Sequence, residues 1–213
     1  MSLGILCKKI GMTTVFTETG EAIPVTVLKA DPSVVTALKT KEKHGYVAVQ
    51  VGYDEVAEKK LTKAEAGVFK AAGVTGTYRT LREFRLAEPT TLAVGAKVTA
   101  ESILAEGDTI NVEGTSIGKG FQGPVKKYHF NRGRMSHGSQ HHRIPGSSGS
   151  GTTPGNVAKG MRRASQMGNV KVTTKGLKVV KLIAEDNLVL VKGSVPGFEG
   201  SLVCITKPKA KWN

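Results

Sequence analysis

Short apolar runs of period two, broken by turn residues, dominate the first quarter of the chain and return near its end. Thr13 to Phe16, Ala22 to Leu28, Val34 to Thr40 and Tyr46 to Tyr53 are rich in Val and Thr and read as strands. Thr19-Gly20, Asp31-Pro32 and His44-Gly45 supply turn chemistry between them. The texture then changes. Thr62-Lys63-Ala64-Glu65 is a capping box, Ala64, Phe69 and Ala72 follow, and Gly73 is a natural stop, which predicts a short helix. Leu81 to Leu86 alternates apolar and charged residues, as a half-exposed strand does. Strands are predicted again at Asp108 to Thr115, Leu177 to Ala184, Leu188 to Lys192 and Leu202 to Thr206. The turn Glu185-Asp186-Asn187 makes a hairpin of the middle two.

About eight short strands in mostly sequential order suggest a closed barrel more than an open sheet. The expected fold class is mainly β: a closed barrel with a small α/β insertion and a long extended basic loop. One domain over residues 1–213 is expected, with the barrel drawn from 1–54, 98–118 and 169–213, the insertion from 55–97, and the loop from 119–168.

Gly118 to about Gly168 follows neither period. It holds repeated glycines, Ser147-Ser148-Gly149-Ser150-Gly151, and prolines at 124, 145 and 154. A loop this long inside a compact domain is functional or disordered. This composition cannot bury enough apolar surface to fold alone, so residues 119–168 are expected to be disordered until a partner orders them.

Charge sharpens the picture. The net charge is +14, and Gly114 to Ala184, 71 residues, contains no Asp or Glu. That window carries 13 Lys or Arg and four of the five histidines, while 18 basic residues face 17 acidic ones elsewhere. A chain that only needed solubility would intersperse both signs. A segment purged of acid is suited to lie against a polyanion.

Other classes fall away. No run approaches the roughly 18 apolar residues of a membrane helix, and the N-terminal segment lacks the shape of a signal peptide. Cys7 and Cys204 could lie close in a barrel whose first and last strands pair, but two thiols make no disulfide framework, and both read as reduced core residues of a cytosolic protein.

Gly118-Lys119-Gly120-Phe121-Gln122-Gly123 matches the dinucleotide fingerprint letter for letter. Pro124 follows at once, no helix is expected there, and the next acid is Glu185, so the glycines read as flexible backbone that can approach a phosphate chain. His137, His141 and His142 have no Cys or carboxylate in the window to complete a zinc site, and no metal or other cofactor is expected. They and His129 suit stacking on a base or a bond to a 2′-hydroxyl. Lys119, Lys126, Lys127, Arg132, Arg134, Arg143, Lys159, Arg162 and Arg163 are interleaved with Phe121, Gln122, Tyr128 and Phe130, a mixture that suits phosphate pairing plus stacking. No carboxylate in the window can orient a histidine, so no enzyme and no small-molecule substrate are expected.

Five blocks carry a resemblance. They are Gly4-Ile5-Leu6-Cys7-Lys8-Lys9-Ile10-Gly11-Met12-Thr13, Gly114 to Gly123, Ser136 to Gly146, Thr153-Pro154-Gly155-Asn156-Val157-Ala158-Lys159-Gly160 with Met167-Gly168-Asn169, and Val191 to Gly197. In this order they resemble the bacterial branch of the large-subunit ribosomal protein L-three family over nearly the whole chain. The resemblance implies a barrel of the translation-protein type and an arm threading ribosomal RNA toward the peptidyl-transferase centre, its tip at Gly149, Ser150, Gly151, Thr152 and Thr153. It also implies early action in subunit assembly, ribosomal proteins L-fourteen and L-nineteen as neighbours, and a place in the cytoplasm, inside the ribosome. Cys7 stands where many members have glycine. Thr152 stands where some bacterial members carry a methylated glutamine, so that modification is expected to be absent. Two rivals remain, a DNA-compacting protein and an RNA-modifying enzyme with its active site in the barrel.

Overall fold

Residues 3–208 are described by the computed structural model of the chain. The first half runs through β1 (Ile5–Phe16), β2 (Ala22–Lys29), β3 (Ser33–Lys39), α1 (Lys41–His44), β4 (Ala48–Glu55), α2 (Lys63–Ala72), β5 (Tyr78–Arg85), β6 (Lys97–Val98) and α3 (Ala100–Ile103). Then come β7 (Thr109–Thr115), β8 (Phe121–Gln122), α4 (Pro124–Tyr128), β9 (Ser165–Gln166), β10 (Lys171–Ile183), β11 (Leu188–Lys192) and β12 (Leu202–Thr206). These elements form two compact units where one domain was expected: Ser116–Val170, and everything before and after it.

The larger unit is built on a closed barrel in the order β1-β12-β7-β10-β11-β2, every pair antiparallel. Its first and last strands close it, with Ile5 opposite Ile205 and Leu6 opposite Cys204. Ile5, Cys7, Leu28, Ile110, Val112, Val179, Val189, Val203 and Ile205 fill the interior. Each such Val, Leu or Ile contributes about 1.5–3 kcal/mol by leaving water. Leu6 points the other way, into a second core with Val35, Val49, Val51, Tyr53, Phe84 and Val98. The start of β1 is therefore buried on both faces, and Ile5, Leu6 and Cys7 are each fully buried. That is why it reads as a continuous apolar run, and why period-two reading found the strand only from Thr13.

β10 starts six residues before the expected Leu177, at Lys171. Its register slips between Thr174 and Leu177, where Gly176 takes a left-handed φ of 74° and its N–H reaches Asn111 Oδ1. A bulge with glycine in that conformation breaks the alternation a strand is recognised by.

The second core lies beneath a four-stranded sheet in the order β5-β4-β3-β6. This corrects the expected division at residue 54: β3 and β4 belong to this sheet and not to the barrel. β2 already has β1 on one side and β11 on the other, which leaves no edge for β3. The α/β piece thus gathers strands from residues 33–98 instead of 55–97. α2 begins at the Thr62–Glu65 capping box, with both reciprocal bonds made, and ends at Gly73 in the left-handed conformation. It buries Phe69 edge-on to Tyr78, ring centroids 5.9 Å apart, over Val34.

Candidate nucleic-acid interface

Ser116–Val170 is held by its two legs. Ser116 N–H donates to Val170 O, Lys119 N–H to Met167 O and Met167 N–H to Gly120 O, at 2.8–2.9 Å. Beyond them β8 pairs with β9, Phe121 opposite Gln166 and Gln122 opposite Ser165. The legs touch at Gly168, where φ is 71° and an added Cβ would overlap the Ile117 carbonyl oxygen. A side chain there would push the legs apart.

The expectation that no helix follows the glycine run is corrected. α4 starts at Pro124 with Gly123 as its N-cap. Proline at the first helical position loses only an N–H that had no partner anyway. Five residues are too few to show a 3.6-residue period, so nothing in the pattern announced it. His129 ends the helix in the left-handed conformation.

α4 places Lys127 across the gap to the other leg, where its ammonium donates to Ser165 Oγ and, at 2.9 Å, to Gln166 O. The ammonium also lies 5.2 Å from the centre of the Tyr128 ring. Arg162 stands 6.0 Å from the same ring, and Phe130 packs at 6.2 Å. Tyr128 is thus the hub of the arm's one aromatic cluster among the described residues. Composition marked it as one aromatic among several and gave no sign that it organises the others.

Farther out, Gly133 N–H donates to His142 O at 3.1 Å, and His142 Nδ1–H donates to Arg134 O at 2.9 Å. Arg163 donates to Ser148 Oγ, and the Gln122 amide donates to Lys119 O. Phe130, Pro145, Met161 and the two arginines 162 and 163 border a crevice of about 80 Å³. Gly149, Ser150, Gly151, Thr152 and Thr153 are exposed, and the Thr153–Pro154 peptide is cis.

The predicted site residues therefore divide. Lys127, His142, Arg163 and Gln122 spend polar groups on the arm's own backbone and side chains. Lys119, Lys126, Arg132, Arg134, Arg143 and Lys159 make no ion pair or side-chain hydrogen bond among the described residues, and all six are exposed. His129, His137 and His141 are exposed, as is Phe121 at 74%. Pro124 is the one buried residue among the 55 of this unit. Such a surface can neutralise a chain of phosphates and offer flat groups to unstacked bases.

The larger unit offers little to catalysis. Among the described residues no group of three or more His, Cys, Asp or Glu is placed to hold a metal ion. A groove of about 670 Å³ is lined by Arg82, Glu83, Glu113, Lys171 and Lys207, but Lys171 pairs with Glu113 at 2.7 Å and Lys207 with Asp108 at 2.8 Å. The Lys207 ammonium and the Ala105 N–H hold the Asp108 carboxyl below its ordinary range. A general acid needs the opposite shift.

The family described as Ribosomal protein L3 matches residues 80–187. The chain is 52% identical over 213 residues to the large ribosomal subunit protein uL3 of Synechococcus sp. (strain JA-3-3Ab), covering 100% of this chain and 99% of that one. It is 49% identical over 210 residues to the uL3 of Gloeobacter violaceus, covering 99% and 97%. To the uL3c of Cyanophora paradoxa it is 47% identical over 209 residues, covering 98% and 99%.

Proposed function

The chain belongs to the ribosomal protein L3 family, and from that premise we propose that it is a structural, non-enzymatic constituent of the large ribosomal subunit whose arm binds large-subunit ribosomal RNA. One observation carries the RNA-binding part. Ser116–Val170 combines nine Lys or Arg, no acid and a single buried residue. A unit so built has no apolar core to hold it and lowers its self-repulsion when a polyanion lies against it.

Lys119, Lys126, Arg132, Arg134, Arg143 and Lys159 meet phosphates. Phe121, His129, His137 and His141 stack on bases or bond 2′-hydroxyls. Lys127, Gln122, His142 and Arg163 keep the arm's shape, and Arg162 acts with Tyr128. The stretch Gly149 to Thr153 lies nearest the peptidyl-transferase centre, where small residues suit close RNA packing. The protein joins early in subunit assembly, beside ribosomal proteins L-fourteen and L-nineteen, in the cytoplasm. It uses no cofactor and no small-molecule substrate.

Gradient sedimentation of a lysate, before and after a high-salt wash, tests this. The protein should travel with the large subunit and resist the wash. Recovery at the top of the gradient would overturn the reading.

A further inference from the structure

Arg162-Arg163-Ala164-Ser165 sets two arginines two and three residues before a hydroxyl. No other Arg-Arg pair occurs in the chain, so no other Ser or Thr has arginine at both positions. The structure leaves this run open to a partner. Met161, Arg162 and Arg163 lie in no regular element, and both arginines are exposed. Arg162 stands 6.0 Å from the Tyr128 ring and Arg163 donates to Ser148 Oγ, so neither is tied to a carboxylate.

Ser165 itself is half-buried in β9. A ladder of only two residue pairs holds it there, Ser165 opposite Gln122 and Gln166 opposite Phe121. So short a pairing is marginal by itself, and opening it releases 162–166 as an extended segment. The setting of the hydroxyl suits an added anion. Ser165 Oγ accepts from the Lys127 ammonium and donates to Arg163 O at 3.4 Å. Ser116–Val170 contains no Asp or Glu to repel a phosphoryl group.

We propose that Ser165 is a phosphorylation site for an arginine-directed serine/threonine kinase, and that the phosphate weakens the hold of the arm on RNA. Kinases select substrates by charge pattern, and acidic pockets in such a kinase match the arginines that precede the acceptor. In the transfer, Ser165 Oγ attacks the γ-phosphorus of ATP. The Oγ–P bond forms while the bond from that phosphorus to the oxygen of ADP breaks, and the hydroxyl proton passes to the catalytic aspartate of the kinase. The product adds a charge of about −1.5 to −2 to a unit with nine Lys or Arg. That charge repels the RNA backbone and gives the neighbouring arginines an intramolecular partner. The consequence for RNA rests on the RNA-binding reading, whereas the acceptor role of Ser165 does not.

The test incubates the full-length protein with ATP and the catalytic subunit of cyclic-AMP-dependent protein kinase, an arginine-directed enzyme. Mass spectrometry should find one phosphate, on Ser165. No uptake, or uptake only elsewhere, as at Ser136 with its arginines at 132 and 134, overturns the proposal. Affinity for large-subunit ribosomal RNA should fall roughly tenfold on phosphorylation and return after phosphatase treatment. Unchanged affinity overturns the proposal alone, while failure of the unmodified protein to bind this RNA counts instead against the RNA-binding reading. In lysates of cells that make the protein, the Ser165 phosphopeptide should occur in the pool outside ribosomes and be absent from large subunits. Its absence from both, or equal abundance in both, would also overturn the proposal.

Discussion

Cys7 and Cys204 are diagonal neighbours across the seam that closes the barrel, yet they face opposite sides of the sheet. Cys204 is paired with Leu6, and Cys7 with Val203. Cys7 belongs to the barrel core, whereas Cys204 packs against the second core with Leu6. Side chains on opposite faces of a sheet cannot bridge without breaking the ladder. An oxidant should therefore leave the native protein without a disulfide, as mass spectrometry of the alkylated protein would show.

The same burial sets an alkaline limit. Burial, then the Cys204 and Asp31 charges, raises the Cys7 thiol well above its ordinary 9.0. Burial, reinforced by Glu113, pushes Cys204 to about 12. In the unfolded chain both thiols deprotonate near 9, while the folded chain keeps the protons. Stability should thus be whole below that pH and fall as pH rises from about 9 toward 12. The buried Tyr53 hydroxyl, which donates to Lys29 O and is also raised, adds to the loss above 10. Urea midpoints at pH 8 and 9.8 should differ for the native chain, and Cys7→Ala with Cys204→Ala should shrink that difference.

At the start of α2 the Thr62 backbone and side chain both bond the Glu65 carboxylate and hold its pKa below the ordinary range. Thr62→Ala should cost about 1 kcal/mol of stability, the usual value of a lost N-cap. It should also move the Glu65 titration upward in NMR. A depressed carboxylate contributes above its unfolded pKa and loses that contribution as pH falls, so the variant should also show a weaker acid dependence. An unmoved Glu65 titration would show that the box makes no difference in solution.

Six free cations set a salt slope. If each meets one phosphate, log affinity for ribosomal RNA should fall against log salt with a slope between about −4 and −5. Lys126→Gln should reduce that slope by about 1. Lys127→Gln is expected to differ in kind, because its ammonium joins the two legs through Ser165 and Gln166. It should weaken binding while changing the slope less. Equal slope changes for the two variants would contradict this division of labour.

Amide exchange on the free protein should divide the arm at the same place. The paired legs, 116–122 and 165–170, hold most of its backbone bonds, and the stretch 131–160 has few. The expectation of an arm disordered over 119–168 thus narrows to its outer part. Strong protection across 131–160 without RNA would contradict it.

How much of this could be read beforehand depended on how local the cause was. The α2 boundaries follow from Thr62, Glu65 and Gly73, which act within one helical turn. The hairpin of β10 and β11 was visible because turn and flanking strands are contiguous. The arm stood out by its lack of acid. The choice of sheet for β3 was not legible, because Val34 and Val35 look the same whichever sheet they join. That choice was made by β11, some 150 residues away, which occupies the free side of β2. The roles of Lys127 and His142 were hidden for a similar reason. Both bond a backbone carbonyl, which every sequence supplies everywhere, and the Ser165 hydroxyl that Lys127 also meets lies 38 residues away.

The seam between β1 and β12 also orders events in time. Ile5 cannot meet Ile205 until some 200 intervening residues have been made, on the order of 10–40 s at ordinary elongation rates. Ser116–Val170 is complete well before that. During synthesis the cationic arm is therefore offered to polyanions while the barrel is still open. A cell that makes this chain must either deliver RNA to the arm promptly or shield it until the last strand closes the barrel.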